Sequence, residues 1–299
     1  ALKCKSSKNK DLRKRVSKIV QEPDSDILRE ILERELFTST LINSHPNKSL
    51  VNRFATIDLM CPLDFSINKN REKFIIENCE IDNNYNYFLL NMYNGSCLKK
   101  GKICGNLSNQ LTCKYLTKTN DLFKNTVRYL LQSIEFLHSI NIAHCDIKPL
   151  NILCDEKGVI RIIDFGSSLF LDDMEKGKKE FVGLCKNFNK VTSVKSRPFN
   201  KSEEFYNKVA AITPKYAPPE IIVMRGVLKK PDVLFSEIYL ELILNHQHTD
   251  TKELQKLIKH YIKNSKTIVN DIFCKKNSKI FSWDVYSLGH TIKDIYTLG

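Results

Sequence analysis

Apolar residues recur at helical spacing in two early stretches of this 299-residue chain. From Leu122 to His138 they fall at 123, 127, 130, 131, 134 and 137, one face of an amphipathic helix. From Ile27 to Phe37 they fall at 27, 28, 31, 32 and 36, behind the capping run Asp24-Ser25-Asp26. Residues 51 to 92 alternate instead, with strands expected at Phe74-Ile75-Ile76 and Tyr87-Phe88-Leu89-Leu90 on either side of Asp82-Asn83-Asn84. Two short apolar runs, Ile152-Leu153-Cys154 and Val159 to Ile163, flank the turn Asp155-Glu156-Lys157-Gly158 and predict a hairpin. Residues Lys99 to Lys118 are basic and read as irregular, and the stretch from Gly166 to Pro218 is long and polar. Further on, Val233 to Leu244 is strongly apolar. Leu254, Leu257, Ile258, Tyr261 and Ile262 then form a helical stripe bordered by Lys256, Lys259 and Lys263. That stripe reads as packing on the body of the domain, with a partner-binding or membrane-surface helix as the alternative.

Composition narrows the class. At 42% hydrophobic the chain can bury a sizeable core in one or two domains. The net charge of +13 is spread among scattered lysines and asparagines, so it predicts a solvated basic surface, not specific nucleic-acid binding. Ten cysteines occur without a C-x-x-C pair or a secretory signal, which points to reduced thiols in an intracellular setting, cytoplasm or nucleus unresolved. For the same reason Asn94-Gly95-Ser96 is expected to be an idle glycosylation triplet. No apolar run reaches the ~18 residues of a membrane span.

The chemistry concentrates in His144-Cys145-Asp146-Ile147-Lys148-Pro149-Leu150-Asn151, followed by Asp164-Phe165-Gly166. These two stretches bring a carboxylate, an ammonium, an amide and a second carboxylate to one end of the expected hairpin. Magnesium-assisted phosphoryl transfer calls for that set: a base for the attacking hydroxyl, a cation for the phosphate and oxygen ligands for metal. The stretch resembles H-R-D-x-K-P-x-N and D-F-G of the eukaryotic-type protein kinase family, and Lys148-Pro149 resembles its serine/threonine branch. Two later motifs agree. Thr213-Pro214-Lys215-Tyr216-Ala217-Pro218-Pro219-Glu220 is similar to T-x-x-Y-x-A-P-E, with Pro218 replacing alanine, and Trp283-Asp284-Val285-Tyr286-Ser287-Leu288-Gly289 is similar to D-V-W-S-L-G.

The resemblance implies an α+β, bilobal protein-kinase-like fold, with a small, mostly β N-lobe and a larger, mostly helical C-lobe. Residues 1–95 would supply a partial N-lobe and 96–299 the C-lobe, with insertions at 167–212 and 221–282. It implies ATP-dependent transfer to serine or threonine hydroxyls of protein substrates, with Mg2+ as cofactor. Asp146 would be the base and Lys148 the cation on the transferred group, with Asn151 and Asp164 as metal ligands. Lys3 in Ala1-Leu2-Lys3 would be the strand lysine of V-A-I-K, and Glu35 its helix partner, Glu33 remaining open. Leu90 would line the back of the adenine pocket, Met92 or Tyr93 the hinge, and Leu153 the adenine floor. Asp284 would cap the backbone of the catalytic loop.

Cys145 stands where many members carry an arginine that grasps a phosphorylated activation segment. This non-RD variant is expected to work without that contact. Opening at Ala1, the chain is expected to be a fragment or processed product lacking the Gly-rich loop and the last helices; Gly101-Lys102 is no substitute, because the Walker A frame is missing. The alternative function is a pseudokinase or scaffold, with a regulatory partner at the insertions. A small-metabolite phosphotransferase and a basic nucleic-acid binder are weaker readings.

Overall fold

The computed structural model describes residues 15–21, 26–62, 87–93, 105–154, 159–170, 213–219, 221 and 280–299, with short helical pieces between 252 and 264. The described residues form two compact units, the first within 1–46 and 55–94, the second within 47–54, 95–174 and 195–299.

Strand β1 (Arg15–Gln21) opens the first unit and is followed by helix α1 (Asp26–Ser44). After α2 (Lys48–Val51), which belongs to the second unit, come β2 (Ile57–Pro62) and β3 (Tyr87–Tyr93). The sheet order is β1-β3-β2, with both pairings antiparallel. Leu90 of β3 is fully buried in a cluster with Leu32 and Leu36 of α1 and Ile57 of β2. Helix α1 runs seven residues beyond the predicted end at Phe37. Thr38-Ser39-Thr40 are poor helix formers, and tertiary partners overrule that preference. Ser39 Oγ accepts the Ile57 N–H at 3.1 Å, Thr40 Oγ1 donates to the Leu36 carbonyl, and Asn43 Nδ2 donates to the Ile57 carbonyl at 3.2 Å. The segment from Ser39 to Asn43 is therefore hydrogen-bonded to the start of β2 as well as within its own helix. The predicted strand at 87–90 is present and continues to Tyr93. The one expected at Phe74-Ile75-Ile76 lies outside the described residues.

In the second unit, β4 (Gly105–Asn106) leads to α3 (Gln110–Thr117) and α4 (Asn120–Ser139). Helix α3 corrects the expectation of irregular chain up to Lys118. Thr112, Cys113 and Leu116 share a face and are buried, a pattern too short to stand out among lysines. Helix α4 matches its stripe closely: Leu130, Ile134 and Leu137 are buried, whereas Leu131 faces solvent. Thr119 caps the N-terminus of α4 through the Leu122 N–H. Asn141, at φ 60°, takes the left-handed conformation just past its end. Strand β5 (Ile142–Ala143) then enters the polar loop, and a 3-10 turn at Pro149–Asn151 leaves it.

The predicted hairpin is present as β6 (Ile152–Cys154) paired antiparallel with β7 (Ile160–Ile162); its turn lies outside the described residues. Strand β8 (Leu169–Phe170) pairs with β5. Helix α5 (Ile280–Leu298) begins ahead of the Trp283 motif and buries Trp283, Asp284, Ser287, Leu288, Thr291 and Ile295 along one side. Lys256, Lys259 and Lys263 are helical and exposed, but the apolar stripe beside them and Val233 to Leu244 lie outside the described residues. No helix among the described residues is long and apolar enough to cross a membrane.

Leu137 is fully buried on α4. Leu137→Ala should lower unfolding free energy by about 2–5 kcal/mol, read as a shift in the urea midpoint at unchanged slope.

Candidate active site

Asp284 on α5 is the fixed point of the polar loop. Its side chain is fully buried, and its oxygens accept the N–H of His144 at 2.8 Å and of Cys145 at 2.7 Å. His138 Nε2 lies 3.0 Å from the same carboxylate. Cys145 sits at φ 63°, a left-handed conformation that costs a non-glycine residue roughly 1–2 kcal/mol. The hydrogen bonds that these N–H groups donate to the charged carboxylate, each about 1.5–3 kcal/mol, offset that cost.

The turn at Cys145 delivers Asp146, whose side chain is 6% exposed. Oδ2 of Asp146 accepts Lys148 Nζ at 2.5 Å and Asn151 Nδ2 at 3.0 Å. Oδ1 accepts the N–H of Thr213 at 3.2 Å. Lys148 also donates to Thr213 Oγ1 at 2.7 Å, so one residue from the far side of the polar segment closes the cluster. A carboxylate offers about four acceptor positions, and three are occupied, which leaves room for one further donor.

The second carboxylate is tied to the same frame. The N–H of Ile163 donates to the Asn151 carbonyl at 2.9 Å, and His144 Nε2 donates to the Ile163 carbonyl at 3.0 Å. The ring proton of His144 is on Nε2 because Nδ1 accepts the Asp146 N–H. Asp164 follows at φ 66° and is exposed, while Phe165 is buried against His144 and Phe54. The buried ring thus anchors a turn that leaves its carboxylate in solvent. Among the described residues no partner binds the Asp164 carboxylate, and the Asn151 amide commits its nitrogen to Asp146. One carboxylate and one amide oxygen remain, hard donors of the kind magnesium prefers. No group of three His, Cys, Asp or Glu fit to hold a metal occurs among the described residues.

Beyond Thr213, the 3-10 turn Pro214–Tyr216 is fastened to α5. Lys215 Nζ lies 2.5 Å and Tyr216 Oη 2.7 Å from Asp294 Oδ2, and Ser287 Oγ donates to the Tyr216 carbonyl. Burial raises the Asp294 carboxyl, but hydrogen bonds from Lys215 and Tyr216, with the charges of Lys215 and His290, together hold the group below its ordinary range. Burial pushes the Tyr216 hydroxyl up, and Asp294 pushes it further.

Of the residues singled out from sequence, Asp146, Lys148 and Asn151 meet directly, with Asp164 hydrogen-bonded into their frame through Ile163. Leu153 lies half-buried on β6. In the first unit Glu35 is buried on α1, whereas Glu33 is only half-buried. Leu90 is a core residue beneath α1. Met92 and Tyr93 continue β3, where a hinge loop was expected. Lys3 lies outside the described residues, and so does Glu220. The strand directly before α1 is β1, where Lys18 stands opposite Leu90 in the register. Sequence reasoning gave Thr213 no part in the site; the T-x-x-Y pattern was the available signal.

The family model for the protein kinase domain matches residues 68–296, and the chain belongs to this family. It is 35% identical over 116 residues to a probable serine/threonine-protein kinase of Dictyostelium discoideum, covering 38% of this chain and 22% of that protein. It is 32% identical over 104 residues to the MAP kinase kinase kinase win1 of Schizosaccharomyces pombe, covering 32% of this chain and 7% of that protein. To the human phosphorylase b kinase gamma catalytic chain, liver/testis isoform, it is 42% identical over 72 residues, covering 24% and 18%. The chain therefore spans under a quarter of the length of each of these relatives.

Asp284→Ala would orphan two buried N–H groups, each worth about 1–3 kcal/mol, so a loss of about 2–6 kcal/mol in chemical denaturation is expected, with Asp284→Asn intermediate. The folded Asp294 carboxyl titrates below its unfolded value of ~3.9, so its contribution is complete above that value. It is lost as pH falls through the lower folded value. Thermal midpoints between pH 6 and pH 2 should therefore fall less steeply for Asp294→Asn than for the wild type.

Proposed function

We propose that the chain carries the ATP- and Mg2+-dependent activity of a protein serine/threonine kinase, moving a γ-phosphate to hydroxyls of protein substrates. The observation that carries this reading is the closed set Asp146, Lys148, Asn151 and Thr213. The Dictyostelium discoideum relative, named as a probable serine/threonine-protein kinase, supports the choice of acceptor.

Asp146 takes the proton of the incoming hydroxyl at its remaining acceptor position. It acts mainly by holding the hydroxyl in line. Lys148, anchored between Asp146 and Thr213, offsets the negative charge gathering on the transferred group. Asn151 Oδ1 and the Asp164 carboxylate would hold magnesium, which supplies charge neutralisation on the nucleotide phosphates when bound. The small lobe is assigned to the first unit within 1–95 and the large lobe to 96–299, with residues 47–54 going to the large lobe. Lys18 takes the strand-lysine role in place of Lys3, because β1 directly precedes α1 and lies beside β3. Glu35 is its partner, and Leu90, Met92, Tyr93 and Leu153 serve the adenine side. An intracellular setting suits the reduced thiols of Cys113, Cys145 and Cys154.

Transfer of labelled phosphate from ATP to a protein substrate is the direct test. Asp146→Asn should slow it by about 10²–10⁴-fold, and Asp164→Ala should abolish the magnesium-dependent rate. No transfer by the wild type would leave a scaffold as the better reading, and undiminished transfer in both variants would remove Asp146 and Asp164 from the mechanism.

A further inference from the structure

We propose that Lys215 is a specificity-determining residue that directs the acceptor side of the site toward substrates with an anionic side chain close to the phosphorylated hydroxyl. This rests on the kinase reading of Asp146.

The position of Lys215 follows from the hydrogen bonds of Thr213. Thr213 touches both Asp146 and Lys148, so a hydroxyl bound at Asp146 lies beside the 3-10 turn that begins at Pro214. Lys215 is two residues beyond Thr213. Consecutive α-carbons are about 3.8 Å apart, which puts its ammonium within reach of substrate residues about two or three positions from the acceptor. The Lys215 side chain is 53% exposed, against 21% for its partner Asp294. Asp294 Oδ2 is held by both the Lys215 ammonium and the Tyr216 hydroxyl. The carboxylate that could have received a basic substrate residue is thus neutralised within the chain, and its cation faces outward.

The surroundings add to that positive balance. Lys293, the neighbour of Asp294 in the sequence of α5, is also exposed and adds a second ammonium to this end of the helix. His290 lies one turn earlier on α5. Burial, Lys293 and Lys215 lower its proton affinity, and Asp294 opposes them without prevailing. Such a patch favours a carboxylate or phosphate on the substrate and penalises lysine or arginine there.

The test uses the full-length protein and one serine-centred peptide, with glutamate, phosphoserine or lysine placed singly at the three positions on each side. Glutamate or phosphoserine should raise kcat/KM about three- to tenfold over lysine at one or more positions, the size of a partly exposed ion pair. A gain from both identifies charge as the recognised property, and a gain from phosphoserine alone identifies phosphate. Lys215→Ala should collapse that ratio through the KM of the anionic peptides. Asp294→Asn, which frees the Lys215 ammonium, should widen it. Equal ratios, a preference for lysine, or an unchanged ratio in Lys215→Ala would overturn the proposal. Thermal midpoints report whether each variant folds, and Asp294→Asn keeps the question answerable if Lys215→Ala does not. No transfer to any peptide would overturn the kinase reading itself, and this proposal with it.

Discussion

Two backbone N–H groups, of His144 and Cys145, converge on the buried carboxylate of Asp284, and the large unit depends on that convergence. A carboxylate with no solvent exposure is costly unless its oxygens are satisfied, and a left-handed cysteine is costly unless something holds it. Each offsets the other's penalty. The arrangement holds only while α5 carries its buried side, Trp283, Leu288 and Ile295, against the unit. Packing of a helix near the end of the chain thereby sets the backbone of a loop some 140 residues earlier.

The polar cluster inherits its geometry from that anchor. Cys145 turns the chain so that Asp146 meets Lys148 and Asn151, and the His144 ring reaches back to Ile163 just before Asp164. Phe165, wedged between His144 and Phe54, holds the second turn from inside the core. Donors and acceptors near Asp146 are largely used up among themselves, which keeps the group ordered before any ligand arrives. The preorganisation comes from neighbours that are themselves buried, not from the flexible lysine alone.

Much of this was legible in the sequence where signals were local. Asp146, Lys148 and Asn151 lie within six residues, and the β6–β7 hairpin has alternating β-branched runs. Helix α4 declared itself by its stripe. What escaped depended on partners far along the chain. The T-x-x-Y pattern marks Thr213 but does not say that its N–H bonds a carboxylate 67 residues away. The last turns of α1 are poor in helix formers and exist because Ser39 and Asn43 find partners around Ile57. Positive φ at Cys145 and Asp164 carries no sequence mark, since glycine, the usual signal, is absent from both positions.

The long polar stretch is gripped at both ends by the same unit. Phe170 pairs with Ile142 on one side, and Thr213 bonds Asp146 on the other. A tether fixed this way is charged for its length only logarithmically: even for a wholly flexible one, doubling the number of residues would cost about 0.6 kcal/mol. Insertions between those clamps are therefore close to thermodynamically neutral for the chemistry they enclose, and lineages can lengthen or trim that span while the core geometry stays put.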